Sequence, residues 1–599
     1  VTVVRHGILP QAPHLLALIS ILATLAGCQT MPPTSENVTP ASTIEQPGGP
    51  QPAATPTELP MPTVARVDLG LPPATLDPAL VAPLDVAAND LVENLFAGLT
   101  SLDPDTGHVE PALAREWERS EDGLTWTIYL RDDVFWVRGN PETGQIEAVR
   151  PVTAGDVVYA IERACRAGTG APLAGSLFGI QGCRDMYGQL PNASLGVRVL
   201  NDVAVEFKLT TGTSTFPAIL SMPVTRPVPA ELIDSAGNSW THPTNVWTSG
   251  PFTLQPTVDP VAGYTLLANP MWPLARPGNL DIAQVSFDPS LEEALTAWQA
   301  GDLDVSAIPP SAVGTIPFDE TSSYRLLARP AAAFLVASYD TPPMDNPNVR
   351  RALALALDRQ ALINTVFEPA GVPAIPAGVL TPPGMASVPT DDEVGVTYDP
   401  DAARAALAAA GYSGCSTMIP ISLLTDDSVL SMALANRLAE MWAVVLGCQG
   451  RILLEQRPLQ EVLALLHEPP GALQRQFRGP RPGLILLSWQ ADYPDAQHWL
   501  ADILGCREFF PEAYLNSARP CVDADQQLIQ AGSEYDEAVR AGLYRQVVAA
   551  LFGPDGEMPV IPLIFHARAL AVQPWVHISP SRAGALRFDR WVVEPSDRP

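Results

Sequence analysis

Proline constrains this chain more than any other residue type: its 599 residues include 63 prolines, with 42 glycines beside them. Proline inside a helix removes a backbone hydrogen bond and clashes with the preceding turn, and glycine there costs about 1 kcal/mol relative to alanine. A coiled coil or a long-helix bundle is therefore excluded, and the elements must be short and joined by many turns. Hydrophobic residues at 47% against 17% charged give enough apolar surface for a packed core. Length alone suggests about four domain-sized units at ~150 residues each. Acidic side chains outnumber basic ones 65 to 35, a net charge of −30. Neither nucleic acid nor an anionic membrane surface is expected as a partner, because both require a basic face.

The first residues read as an address. Arg5 and His6 precede an apolar stretch, Leu15 to Leu25, broken only by Ser20 and Thr24. That is too short for a membrane span of ~20 residues and suits the hydrophobic part of a secretory signal. It ends in Leu25-Ala26-Gly27-Cys28, which resembles the bacterial lipobox. The resemblance implies a signal peptide over 1–27 and a diacylglycerol on the Cys28 sulfur, with two or more acyl chains giving a stable anchor. Residues 29–65 hold nine prolines and no Lys or Arg. The stretch 28–65 is read as an extended, semi-rigid tether. No later run has ~18 uninterrupted apolar residues, so no other membrane crossing is expected.

Six further cysteines fall into sequence-local pairs, Cys165 with Cys183, Cys415 with Cys448, and Cys506 with Cys521. Outside the cytoplasm an even count favours disulfides; fifteen pairings are possible, and locality alone selects these three. No CxxC occurs and no His stands at ligand spacing from a Cys, so no metal and no cofactor are expected.

The body reads as mixed α/β. Leu124, Trp126, Ile128 and Leu130 alternate with polar neighbours, as do Val203, Val205, Phe207 and Leu209; both are half-buried strands. Asn346-Pro347 and Asp399-Pro400 are helix starts. The first opens an apolar face running Val349, Leu353, Ala356, Ile363, Phe367; the second ends near Gly411. A third helix runs from Leu430 through Leu434, Leu438, Met441 and Val445 to Gly447. Leu484 to Leu487 is a buried strand that delivers the polar, aromatic loop Ser488 to Asp495. GxxxxGK[ST], HExxH and GxSxG are absent, and the eight His are scattered. The residues favour a receptor over an enzyme.

Several segments, in order from about residue 66 to the carboxyl terminus, resemble the family 5 extracellular solute-binding proteins of ATP-binding-cassette importers, the oligopeptide- and dipeptide-binding group. They include Thr75-Leu76-Asp77-Pro78, Leu95-Phe96-Ala97-Gly98-Leu99, Asp122-Gly123-Leu124-Thr125-Trp126, Thr153-Ala154-Gly155-Asp156-Val157, Thr248-Ser249-Gly250-Pro251-Phe252, Gly301-Asp302-Leu303-Asp304, Val349-Arg350-Arg351-Ala352-Leu353, Tyr398-Asp399-Pro400 and Trp489 to Asp495. The resemblance implies an α/β fold of two lobes closing like a flytrap, with an extra subdomain in the first. Lobe I is expected over 66–100, 213–330 and 560–599, the inserted subdomain over 101–212, and lobe II over 331–559.

The same resemblance implies that the chain is not an enzyme. It would be a monomeric, lipid-anchored protein outside the cytoplasm, at the periplasm or cell surface. It would capture short peptides between its lobes and pass them to a membrane permease and ATPase. The acid of the family's W-x-x-D motif, Asp492 here, would take the peptide ammonium, with Trp489 and Tyr493 beside it. Ser249 and Gly250 would line the cleft, and Phe334 to Ser338 would offer a strand edge. Some oligopeptide binders carry a basic residue just upstream of the Trp; here Leu484 to Leu487 are all apolar, so a ligand carboxylate would need another Arg. A sugar or metal chelate is the alternative ligand, a surface hydrolase or a surface adhesin the alternative roles.

Overall fold

Two apolar cores share one sheet. The computed structural model describes residues 61–599 except 105, 258–262, 289, 316–322, 386–393, 468–480, 512, 516, 580–584 and 595–599. The signal, Cys28 and nearly all of the tether lie outside the described residues. The shared sheet has eleven strands: β1 (Val64–Asp68), β2 (Phe252–Leu254), β3 (Gly263–Ala268), β4 (Ile282–Ser286), β5 (Val305–Ala307), β6 (Tyr324–Ala337), β7 (Ala374–Pro376), β8 (Ile421–Thr425), β9 (Ile452–Gln456), β10 (Leu484–Gln490) and β11 (Val560–Val572). Their order is β2-β3-β4-β1-β5-β11-β6-β10-β8-β9, with β7 beside β11. β1 begins two residues inside the stretch read as tether.

The pairing shows how two lobes are made from one sheet. β1 lies parallel to β4 and β5 at one end, and β8 lies parallel to β9 and β10 at the other. Between them β6 and β11 run antiparallel to each other. They have 14 and 13 residues, and at about 3.4 Å per residue each is long enough to serve both cores. Leu327 of β6 and Leu570 and Val572 of β11 belong to the first core; Ala332 to Ala337 and Val560 to Phe565 belong to the second. The ladder breaks between the cores: Ala328 pairs with Ala567 and Ala332 with Phe565. Arg329, Pro330 and Ala331 thus stand opposite the single residue His566. Pro330 has no N–H to give a ladder, so a break there wastes no donor.

The predicted strands at Leu124 and Val203 form as Thr125–Leu130 and Ala204–Lys208, neighbours in a separate four-stranded sheet. Trp126, Ile128, Val205 and Phe207 join the first core. Asp399 caps the helix Pro400–Ala409, and Gly447 ends Val429–Leu446 in the left-handed region. The latter helix is long and apolar enough to cross a membrane by length and composition. Asn436, Arg437 and Glu440 interrupt it, while Leu434, Leu438 and Trp442 enter the second core. Two elements differ from expectation. The apolar face from Val349 to Phe367 is not one helix: Pro347–Leu355 ends, and Asp358 caps a new turn by accepting from the Ala361 amide at 2.9 Å. β10 also continues past Leu487 to Gln490, because Ser488, Trp489 and Gln490 keep their pairing with β6.

Three disulfides join Cys165 to Cys183, Cys415 to Cys448 and Cys506 to Cys521. The bridge spanning 15 residues is of the size that stabilises by about 3 kcal/mol, chiefly by restricting the unfolded chain.

The first lobe is fastened to β11 through a buried ion pair. Asp90 of α1 (Val86–Leu95) accepts from Arg568 of β11 at 2.7 Å and from the Leu586 amide at 2.7 Å. Asp90 is fully buried, and burial pushes its carboxyl up while the Arg568 charge pulls it down. Removing one partner of a buried pair strands the other. Arg568→Ala is expected to cost about 3–5 kcal/mol in urea unfolding, and a paired Arg568→Met, Asp90→Leu chain is expected to recover most of it.

Candidate functional site

The break in the central ladder opens onto a cleft with about 1120 Å³ of space free of protein atoms, its open mouth included. One wall is α1 with the loop before it, the segment Ser101–Pro104 and the turn Ser221–Pro223. The opposite wall is Gln490 to Pro494, and Arg329 and Pro330 form the junction. The cleft therefore lies where the two cores meet.

The Gln490–Pro494 wall is held from three sides. The Ala491 amide donates to the Pro330 carbonyl at 2.8 Å, which ties the loop to the ladder break. His498 is fully buried; its Nε2 receives the Trp489 indole N–H at 3.2 Å and the Asp492 amide at 3.4 Å. Two donors on Nε2 require the tautomer with its proton on Nδ1, an assignment made from the network. Asp495 is also fully buried and accepts from Arg540 at 2.5 Å and from the Gln497 amide at 2.8 Å. Burial raises the Asp495 carboxyl, opposed by the Arg540 charge.

Asp492 stands between these anchors, half-buried, and lines the cleft. Its Oδ2 accepts the Tyr514 hydroxyl at 2.6 Å. Burial and the Asp492 charge raise the Tyr514 hydroxyl well above its ordinary range, so it stays a donor. No cation pairs with Asp492 among the described residues. Its backbone carbonyl accepts from Ser176 at 3.1 Å, and Gln490 donates to the Pro83 carbonyl at 3.0 Å; both contacts join the end of β10 and the loop that follows it to segments around the first core.

The other expected residues are placed variously. Tyr493 lines the cleft, gives its hydroxyl to Asp502 at 2.6 Å and sets its ring edge-on to His498 at 5.2 Å. Trp489 lies behind the lining, against Tyr514 at 5.3 Å. Ser249 and Gly250 do not line the cleft. Their amides both donate to the Leu95 carbonyl, at 3.0 and 2.9 Å, and the Ser249 hydroxyl accepts from the Ala97 amide at 3.1 Å. They satisfy the end of α1, and a Cβ on Gly250 would lie 2.6 Å from the Asn94 carbonyl oxygen. Phe334 is fully buried in the second core. Its strand is paired with Leu487 on one side and Pro562 on the other, so it has no free edge to offer a ligand. Sequence reasoning missed Tyr514, His498 as an organiser, and Arg329.

A two-lobed α/β protein with a charged cleft at the lobe junction is a solute-binding architecture. The model of the bacterial extracellular solute-binding proteins, family 5, middle region, matches residues 108–510, and the chain belongs to that family, which binds solutes rather than transforming them. It is 26% identical to the periplasmic oligopeptide-binding protein OppA of Escherichia coli (strain K12) over 84% of this chain and 87% of that one. It is 28% identical to the probable deoxycholate-binding periplasmic protein YgiS of the same strain, over 84% and 88%. Among solved structures, the murein tripeptide-binding protein MppA in its unliganded open form matches with a TM-score of 0.72 at 21% identity, over 89% of this chain and 98% of that one. HbpA2 from Haemophilus parasuis matches with a TM-score of 0.66 at 19% identity, over 89% and 100%.

His566, opposite the ladder break, makes the stability of this junction depend on pH. Its Nε2 lies 2.7 Å from the Ser488 hydroxyl. Burial, with the Arg329 charge adding, lowers its pKa from 6.5 to about 4. Between these values the unfolded chain binds a proton that the folded chain refuses, so stability falls as pH drops through this window. The loss is complete below the folded pKa and absent above the unfolded one. At about 1.4 kcal/mol per unit, His566 is expected to remove roughly 2–3 kcal/mol between pH 7 and 4.5. Urea unfolding of the wild type and His566→Gln at both pH values should show that difference in their pH dependence.

Proposed function

We propose that this chain is the extracytoplasmic, lipid-anchored receptor of an ATP-binding-cassette importer, capturing short peptides between its lobes and delivering them to the permease. The observation that carries the reading is Asp492: a carboxylate on a pinned loop, facing the interlobe cleft, with one neutral donor and no cation among the described residues. A peptide ammonium supplies the missing charge through a strong charge-assisted hydrogen bond. Peptide binding by the related OppA, named for oligopeptides, and MppA, named for the murein tripeptide, supports the ligand class. Tyr493 borders the site, and Trp489, Ser249 and Gly250 act through the loop and helix they hold. In this reading lobe I takes 66–100, 213–330 and 560–599, lobe II takes 331–559, and 101–212 is set into lobe I. Closure turns on β6 and β11, and the ligand must prefer the closed state to drive it. Cys28 carries the anchor, and the folded body works as a monomer.

A second reading keeps the fold and takes an acidic amphiphile. It is favoured by Val86, Leu102, Leu173 and Met222 in the cleft wall and by the name of the related YgiS. Mass spectrometry of cargo retained through purification separates the two. In calorimetric titration with short peptides, Asp492→Ala is expected to weaken binding by at least ~2 kcal/mol, the low end for stripping a buried charge pair of one partner. Acetylating the peptide amino end should weaken it similarly. Equal affinity for free and acetylated peptides would overturn the role of Asp492.

A further inference from the structure

Among the described residues, two charges in the cleft wall lack a counter-ion, and they have opposite signs. The other charged groups of the wall are already paired. Glu93 is held by Arg226 and by Arg587 at 3.3 Å, Arg587 also by Asp589 at 3.0 Å, and Asp103 lies 3.5 Å from Arg590. Among the described residues the Asp492 carboxylate has only the Tyr514 hydroxyl. Arg329 lines the cleft from the ladder break, half-buried, with no hydrogen bond and no ion pair among the described residues. Asp90, whose negative charge reaches it, is occupied by Arg568 and the Leu586 amide. The balance of burial and the Arg568 charge against Asp90 leaves the guanidinium poorly compensated.

A cation drawn partly out of water without an acceptor costs free energy, which an arriving anion recovers. A guanidinium fork matches a carboxylate through two parallel N–H donors. Leu484 to Leu487 supply no basic residue upstream of Trp489, so a ligand carboxylate needs its cation from elsewhere in the cleft.

We propose that Arg329 is the anion subsite of this cleft and takes the ligand carboxylate, so that the cleft selects guests bearing an ammonium and a carboxylate together. The ammonium half rests on the peptide reading given above; the carboxylate half stands on the surroundings of Arg329. The carboxylate comes either from a peptide carboxyl end or from an acidic amphiphile, and the two sources separate experimentally.

The test is calorimetric titration of the purified full chain, as wild type, Arg329→Gln, Arg329→Lys and Asp492→Asn. The probes are trialanine, its carboxyl amide, its amino-acetyl form, and laurate. The wild type is expected to prefer trialanine over its amide at least tenfold. Arg329→Gln should bring that ratio near one while keeping the preference for a free amino end, and Arg329→Lys should keep part of it. Laurate binding that is lost in Arg329→Gln and unaffected by Asp492→Asn also supports the subsite, and assigns the carboxylate to an amphiphile. Loss of the amino-end preference alone sinks the Asp492 reading and leaves Arg329 standing. Like responses of wild type and Arg329→Gln to every carboxylate probe, an absent response included, overturn the subsite. The urea midpoint of ligand-free Arg329→Gln should equal or exceed that of the wild type; a marked fall would make Arg329 a structural residue and overturn the proposal.

Discussion

β6 and β11 must each belong to two cores, and the rest of the molecule follows from that. A strand serving one core needs about five or six residues; these have 14 and 13. A single uninterrupted ladder of that length would make the lobes one rigid slab. The register break at Arg329-Pro330-Ala331 divides it where the first core gives way to the second. The break also exposes Arg329 and Pro330 to the cleft, and the Pro330 carbonyl left free of the ladder receives the amide that begins the binding loop. Junction, cleft floor and loop anchor are thus one piece of backbone.

The buried charges divide by whether the fold uses them. Asp90 with Arg568 fixes α1 and the carboxyl-terminal segment to β11. Asp495 with Arg540 fixes the far end of the binding loop, and Arg540 also reaches the Tyr544 hydroxyl at 3.1 Å. Asp525 receives Arg519 beside the Cys506–Cys521 bridge. Each of these carboxylates has a cation within ion-pair distance, as burial demands. Asp492 and Arg329, half-buried on the same cleft, have no such partner among the described residues.

Much of this architecture is legible in the sequence because alternation and caps report burial and chain direction locally. Trp126, Ile128 and Leu130 alternate into a strand; Asn346, Asp399 and Gly447 mark helix ends; neighbouring cysteines pair. Burial patterns do not name partners. Ala356, Ile363 and Phe367 all face the second core, yet Asp358 starts a new turn between them, a change visible only in its side chain's bond to the Ala361 amide. Gly250 is needed for a close backbone approach, and that need is the same whether the neighbour is a ligand or, as here, the end of α1. Tyr514 lies 22 residues from Asp492 and nothing in its sequence surroundings points there. Arg329 reads as one polar residue in a strand; only the absence of a partner in three dimensions sets it apart.

The cleft's two unmatched charges do not cancel each other because they stand on separate supports. Asp492 is held by an amide bonded to buried His498 and by a loop whose next acid is locked to Arg540. Arg329 is carried by the strand break. Neither support can yield without losing hydrogen bonds to buried groups, each loss costing on the order of 1–3 kcal/mol. The charges are therefore kept apart against their mutual attraction. A guest with one charge relieves one of them; a zwitterion relieves both and, lying between a second-lobe loop and the junction strand, gains more as the lobes approach. That difference between open and closed states is what a receptor needs for its ligand to drive closure.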